Sequence, residues 1–182
     1  MRAGVSNPSH PIVELLAVRF PDIDFTPGPL MKRDRPQDEQ VCVRVPADRL
    51  IEVMTFLRHD ERCRFEQLAD LGGIDYLNFP GARDRFAVVY NLLSVSLGHR
   101  FWVKCLVNDP EPEVPSVVGI WKGADWMERE VWDMFGIKFP GHPDLRRILT
   151  WEGFGAHPLR KDYPLRGRGE RENFEVVTRD SA

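Results

Sequence analysis

At 182 residues with 42% hydrophobic side chains, the chain is long enough to bury one core of ordinary size and to carry an appendage. Its 25 basic residues against 28 acidic ones leave a net charge of −3, which argues against a dedicated nucleic-acid binder, a class that is usually strongly basic. No apolar run approaches the length of a bilayer span, and Met1 to Pro11 lacks the apolar centre of a secretory signal, so the chain is expected to stay in the cytoplasm and to meet a membrane only through partners.

A first helix is expected from His10-Pro11 through Phe20, with Ser9 or His10 as cap, Pro11 preset for an early helical position and Pro21 ending it. Ile12, Leu15, Leu16 and Phe20 share one face. Ile23 to Thr26 reads as a short strand, Pro27-Gly28-Pro29 as a break, and Lys32 to Gln40 as a charged loop. Val41, Val43 and Val45 then alternate with Cys42 and Arg44, the period of a half-buried strand.

Leu50, Val53, Met54 and Leu57 fall at helical spacing and predict an amphipathic helix over Ala47 to His59. Phe65 to Asn78 is strand-like, with Gly72-Gly73 marking a bulge or a close backbone approach. Phe86 to Val95 and Arg100 to Val107 are rich in β-formers and are joined by a hairpin connection, Ser96-Leu97-Gly98-His99. The order of elements predicts an α+β fold over residues 1–122: a two-layer domain with a mixed, largely antiparallel sheet packed by helices. No strand leads into a Gly-rich phosphate loop, which disfavours a nucleotide-binding fold. Cys42, Cys63 and Cys105 are scattered, read as buried small hydrophobes, and are too few to hold an iron-sulfur cluster alone.

After the Pro110, Pro112 and Pro115 linker, Ser116 to Trp121 is expected to form a short helix and Ala124 to Phe135 a longer, charged one, within a unit spanning 123–140. Asp125 and Glu128 have capping-box spacing, and Gly136 stands where a left-handed C-cap belongs. On a helical wheel Met127, Val131, Met134, Phe135 and Trp132 form an apolar arc that contains Glu128 and is flanked by Glu130. A carboxylate on a buried face needs a partner, and Arg146 or Arg147 is expected to supply it. Arg129 and Asp133 are spaced for an exposed i, i+4 pair.

Residues 141–182 are too rich in Gly and Pro for any regular period, yet Leu145, Ile148, Leu149, Trp151, Phe154, Leu159, Tyr163 and Leu165 ask for burial. An extended tail that lies on another protein is the expectation. Arg146, Arg147, Arg160, Lys161, Arg166, Arg168 and Arg171 outnumber Asp144, Glu152, Asp162 and Glu170, but interleaved acids and prolines fit a protein surface better than nucleic acid. His142 and His157 open His-Pro dipeptides without a third ligand at zinc spacing, and nothing pairs a nucleophile with a base.

Two blocks here carry a resemblance. Glu128-Arg129-Glu130, Asp133, Met134-Phe135, His142 and Arg146-Arg147-Ile148 form the first; Gly153-Phe154, His157-Pro158, Arg160-Lys161-Asp162 and Tyr163-Pro164 form the second. At these residues the chain closely resembles the 30 kDa subunit family of respiratory complex I, the C-type subunit of bacterial NADH-quinone oxidoreductase. It departs from the family pattern at Ala156, where Gly is usual, and at Trp151-Glu152.

The resemblance implies a cofactor-free peripheral subunit on the cytoplasmic side of the cell membrane, docked beside the 49 kDa-type subunit and other hydrophilic-arm subunits near the quinone-reducing end. The complex uses NADH, FMN, iron-sulfur clusters and quinone, and couples electron transfer to proton translocation. Glu128, Arg129, Glu130, Asp133, His142, Arg146, Arg147, His157, Arg160, Lys161 and Asp162 would then be structural and interfacial, with no catalytic residue in this chain. Related complexes linked to ferredoxin, coenzyme F420 or a hydrogenase use similar subunits. Outside that class, the rival is a free-standing module that captures an extended partner along its sheet edge.

Overall fold

The computed structural model describes residues 10–26, 28–29 and 41–170. The expected charged loop over 32–40 and the alternative cap Ser9 lie outside the described residues. Helix α1 spans Pro11–Arg19, with Pro11 in its first turn and the His10 ring nitrogen accepting from the Ile12 N–H at 3.3 Å. The same ring meets Phe101 at 5.5 Å, so the cap also packs against the sheet.

Five strands pair in the order β1-β2-β5-β4-β3: β1 (Gly28–Pro29), β2 (Val41–Arg44), β3 (Gln67–Asp75), β4 (Phe86–Ser94) and β5 (His99–Val107). Only β2 and β5 run parallel, so the sheet is mixed and largely antiparallel as expected. Between β2 and β3, a 3₁₀ turn over Ala47–Arg49 leads into α2 (Leu50–His59). Its four spaced apolar residues, Leu50, Val53, Met54 and Leu57, are all fully buried. Each stabilises the domain by about 1.5–3 kcal/mol relative to exposure.

One face of the sheet makes this core. Phe86, Val88, Tyr90 and Leu92 of β4 lie beside Val107, Cys105, Val103 and Phe101 of β5, and all join α1 and α2 in a single apolar cluster. The three cysteines are buried and free.

Two expectations are corrected, and of the two readings offered for Gly72-Gly73 the close approach is the one that holds. Ile23 to Thr26 is not a strand, because the Asp24 carboxylate takes both the N–H and the hydroxyl of Thr26 and bends the chain; the short pairing strand comes at Gly28–Pro29 instead. Ser116 to Trp121 makes a single turn, with Val117 O accepting from Ile120 and Trp121, and not a helix. The register shift in β3 sits between Leu68 and Asp70, ahead of the glycines. Gly73 serves the close approach, since a Cβ there would stand 2.6 Å from the Phe135 ring of helix α3 (Ala124–Phe135).

Candidate functional site

Helix α3 is held from both sides. Toward the domain, Phe135 lies on Gly73, and Glu128 is completely buried. Its Oε1 accepts from the Val117 N–H at 2.7 Å, with the Ser116 hydroxyl nearby as a second donor. This corrects two expectations. Glu128 pairs with neither Arg146 nor Arg147, and it is not part of a capping box, since the N-cap is Gly123 and makes no side-chain bond. Arg146 and Arg147 are taken by Asp144 and Asp133, and the turn at 116–121 supplies a backbone N–H to one oxygen of the Glu128 carboxylate. Burial pushes the Glu128 acid up, against the opposing pull of the Ser116 hydroxyl and the Val117 N–H. Glu130 is exposed.

On the opposite side of α3 lies the tail. Asp133, also completely buried, is its anchor. Oδ2 accepts from the N–H groups of Ile148, Leu149 and Thr150 at 3.1, 2.8 and 2.9 Å, while Oδ1 takes Arg147 at 2.6 Å and the Thr150 hydroxyl. Burial alone would raise its pKa, but these donors together outweigh that cost and hold it down to about 2. The expected Arg129–Asp133 pair does not form. Arg129 instead donates to the carbonyls of Arg146 and Arg147, at 3.1 Å each, and Arg146 itself pairs with Asp144. A helical wheel misses Asp133 because it reports burial against one surface, whereas here a second surface arrives from 14 or more residues downstream.

The tail also finishes the helix. The four terminal carbonyls of an α-helix have no partner within it. Here Trp132 O accepts from Gly136 N–H at 2.8 Å, Asp133 O from His157 Nδ1 at 3.0 Å, Met134 O from Leu159 N–H at 3.0 Å and Phe135 O from Arg160 at 3.4 Å. Gly136 adopts φ 78°, the expected left-handed C-cap. Its missing side chain is required twice, because a Cβ would also stand 2.7 Å from the His157 ring.

The two histidines are thus fasteners. His142 accepts from Asp144 N–H at its Nδ1, which leaves the ring proton on Nε2 to donate to Asp125 O; both contacts are 3.0 Å. Burial, ahead of the charges around it, pulls the His157 pKa down. Among the described residues, no three His, Cys, Asp or Glu side chains converge in the manner of a metal site.

Arg160, Lys161 and Asp162 form a latch at the connected end of the β3–β4 hairpin, where β3 ends at Asp75 and β4 begins at Phe86. Arg85 pairs with Asp162 at 2.6 Å, with Asp75 at 3.6 Å and with Asp109, and Arg160 reaches Asp109 at 3.0 Å. Both guanidiniums lie over the Phe86 ring, at 4.8 and 4.9 Å. The Lys161 N–H donates to Asp75 at 2.8 Å, while its side chain remains exposed.

The tail, expected to lie on another protein, is also tied to its own domain: residues 141–170 are held through Asp125, Asp133, Asp75 and Arg85. These ties are mainly polar. Of the eight tail residues expected to seek burial, only Phe154 is buried; Leu149 is 62% exposed, Leu159 51% and Leu165 fully. The tail therefore has an inner polar edge that fastens and an outer apolar edge that is uncovered.

Comparison with known proteins bears on this arrangement. Residues 43–169 match the family model described as respiratory-chain NADH dehydrogenase, 30 Kd subunit, a span that includes the sheet from Val43 on, α3 and nearly all of the described tail. The C-type subunit of NADH-quinone oxidoreductase from Mesorhizobium japonicum is 45% identical over 167 residues, 92% of this chain and 76% of the relative. Its counterpart in Paramagnetospirillum magneticum is 51% identical over 128 residues, and that of Caulobacter vibrioides 54% over 128; the chain spans only 62% and 63% of those relatives' lengths. A solved structure of the trypsin-resistant fragment (1-134) of Nqo5 superposes with a TM-score of 0.54 at 41% identity, covering 62% of this chain and 87% of that one. A chain of the membrane-bound sulfane sulfur reductase, an archaeal respiratory membrane complex, shares the fold alone, with a TM-score of 0.65 at 22% identity over 91% of this chain and 92% of that one. No helix among the described residues is long and apolar enough to cross a membrane. By its match from Val43 to Gly169, the chain belongs to the 30 kDa subunit family of the respiratory-chain NADH dehydrogenase, the C-type subunit of the NADH-quinone oxidoreductase of complex I.

Proposed function

We propose that this chain is a non-catalytic subunit of the peripheral arm of a proton-translocating NADH:quinone oxidoreductase, where it braces the 49 kDa-type subunit near the quinone-reducing end. The observation that carries this reading is the division of the tail into a fastened edge and an uncovered one. Leu149, Trp151, Leu159 and Leu165 are held outward on a backbone that Asp133, His157 and the Arg85 latch already fix. A preordered apolar edge binds without the entropy cost of folding a loose segment, and an aromatic anchor such as Trp151 is the kind of residue on which interface energy concentrates.

In this reading Glu128, Arg129, Asp133, His142, Arg147, His157, Arg160 and Asp162 shape the edge from within, and Glu130, Arg146 and Lys161 lie at its rim. NADH, FMN, iron-sulfur clusters and quinone are handled by other subunits. The chain sits on the cytoplasmic side of the membrane through the complex.

The test is affinity capture of the tagged chain from membranes. A 49 kDa-type subunit and iron-sulfur proteins should be recovered with it, and Leu149→Asp combined with Leu159→Asp should abolish their recovery while leaving the melting temperature of the isolated chain within a few degrees. Capture free of iron-sulfur proteins would end the reading.

A further inference from the structure

The face of the sheet opposite the helices carries a groove of about 790 Å³ that the tail does not use. Across its floor runs one register row: Gly72 on β3, Val89 on β4, Lys104 on β5 and Arg44 on β2. Trp102 and Tyr76 wall it, and Phe79, 63% exposed, stands at one end.

Two features of this row are poor choices for the fold alone. Arg44 and Lys104 are direct neighbours on adjacent strands, about 4.8 Å apart in the pairing direction, where like charges destabilise. Neither has a carboxylate partner among the described residues; Lys104 donates to the Tyr76 hydroxyl at 3.1 Å, and Arg44 is exposed. Gly72, unlike Gly73, has open space where a Cβ would sit and no left-handed φ. A β-branched residue would suit a strand interior better there. The glycine keeps one end of the floor low, with Val89 between it and the two cations, which lack a carboxylate partner among the described residues.

We propose that this groove is a second docking surface, which takes a segment of a partner protein that sets a single Glu or Asp carboxylate against Lys104 and Arg44 and its apolar neighbours against Trp102 and Phe79. Charge complementarity selects a carboxylate. A polyanion is disfavoured: Asp70 and Asp84 line the same groove and would repel a nucleic acid or an anionic lipid surface. The site lies on the opposite side of the sheet from the core and does not depend on where the tail docks.

Carbodiimide cross-linking in membranes from cells that make the chain tests this, because the reagent joins an amine to a carboxylate only when the two are in contact. Lys104 should be recovered linked to an Asp or Glu of a different polypeptide, and the link should vanish in Lys104→Arg, which keeps the charge but lacks the amine. Gly72→Leu should leave the melting temperature unchanged or raised and reduce the link severalfold by filling the floor. An unlinked Lys104, a link only to acids of this chain, a link that survives Gly72→Leu, or co-sedimentation of the chain with phosphatidylglycerol vesicles that Lys104→Glu abolishes would each overturn the proposal. Links from Lys161 in the same sample report on the tail separately, so failure of one surface is distinguishable from failure of the other.

Discussion

The two sides of α3 solve one problem in opposite ways. Each buries a carboxylate completely, Glu128 toward the sheet and Asp133 toward the tail, only five residues apart. Glu128 has a backbone N–H on Oε1, the Ser116 hydroxyl nearby and no partner on Oε2, and burial prevails, raising its pKa. Asp133 has three backbone N–H groups, a hydroxyl and a guanidinium, and the donors prevail. Burial alone therefore does not decide what a buried acid does; the number of donors aimed at it does. The domain side of α3 would hold with a neutral group, whereas the tail side is built on a negative one.

The largest effect should come from removing that charge. Asp133→Asn leaves Arg147 in a nearly enclosed site without its anion, at a cost of about 3–5 kcal/mol, typical of breaking one half of a buried pair. The loss should appear locally. Hydrogen exchange at the amides of Ile148, Leu149 and Thr150 should accelerate, and trypsin should cut after Arg146 or Arg147, while the amides of β4 and β5 remain protected. Unchanged protection at 148–150 would show that the latch at Arg85 is sufficient to hold the tail.

The contrast also explains what could be read from the sequence. The α2 stripe, the alternation in β2, the β4–β5 hairpin and the Gly136 cap were legible because each follows from a local period or a local backbone need. Elements fixed by a single polar side chain were not: one Asp24 carboxylate turns an apparent strand into a bend. The tail shows the same limit. Its apolar residues pointed to a protein surface, but its order comes from Asp133, Asp75, Asp109 and Arg85, whose partners lie 14 to 86 residues away. Arg146-Arg147 and Arg160-Lys161-Asp162 were identifiable as a pattern, but not which acid each one meets.

Acid should separate the two sides next. With its pKa lowered from 3.8 to about 2, Asp133 contributes stability that is fully present above about pH 4 and lost as pH falls through 2, on the order of 2 kcal/mol. Between pH 4 and 2 the tail should therefore lose exchange protection. Glu128 works in the opposite direction, since a raised pKa means that the folded state holds the proton more tightly, favouring the domain side at low pH. Tail and sheet amides losing protection together over this range, in both wild type and Asp133→Asn, would remove Asp133 as the cause.

The smallest effect should be at Glu128 itself. Glu128→Gln keeps an oxygen for the Val117 N–H and the Ser116 hydroxyl, and removes a charge that the interior disfavours at neutral pH. Its amide also brings donors to the place of Oε2, which has no partner, in a region where Tyr90 Oη is likewise unpartnered among the described residues. Tyr90 is close enough to Glu128 for the carboxylate charge, after burial and Cys105, to help push its own pKa up. Stability at pH 7, followed by urea unfolding, should change by no more than about 1 kcal/mol and in the stabilising direction. The raised pKa means that Glu128 stabilises the wild type fully below its ordinary value of 4.5 and less as pH rises through its folded value, and this dependence should be absent in Glu128→Gln. A loss of more than about 2 kcal/mol would mean that the ionised carboxylate is needed on the domain side too, and the asymmetry between the two sides of α3 would then be one of degree.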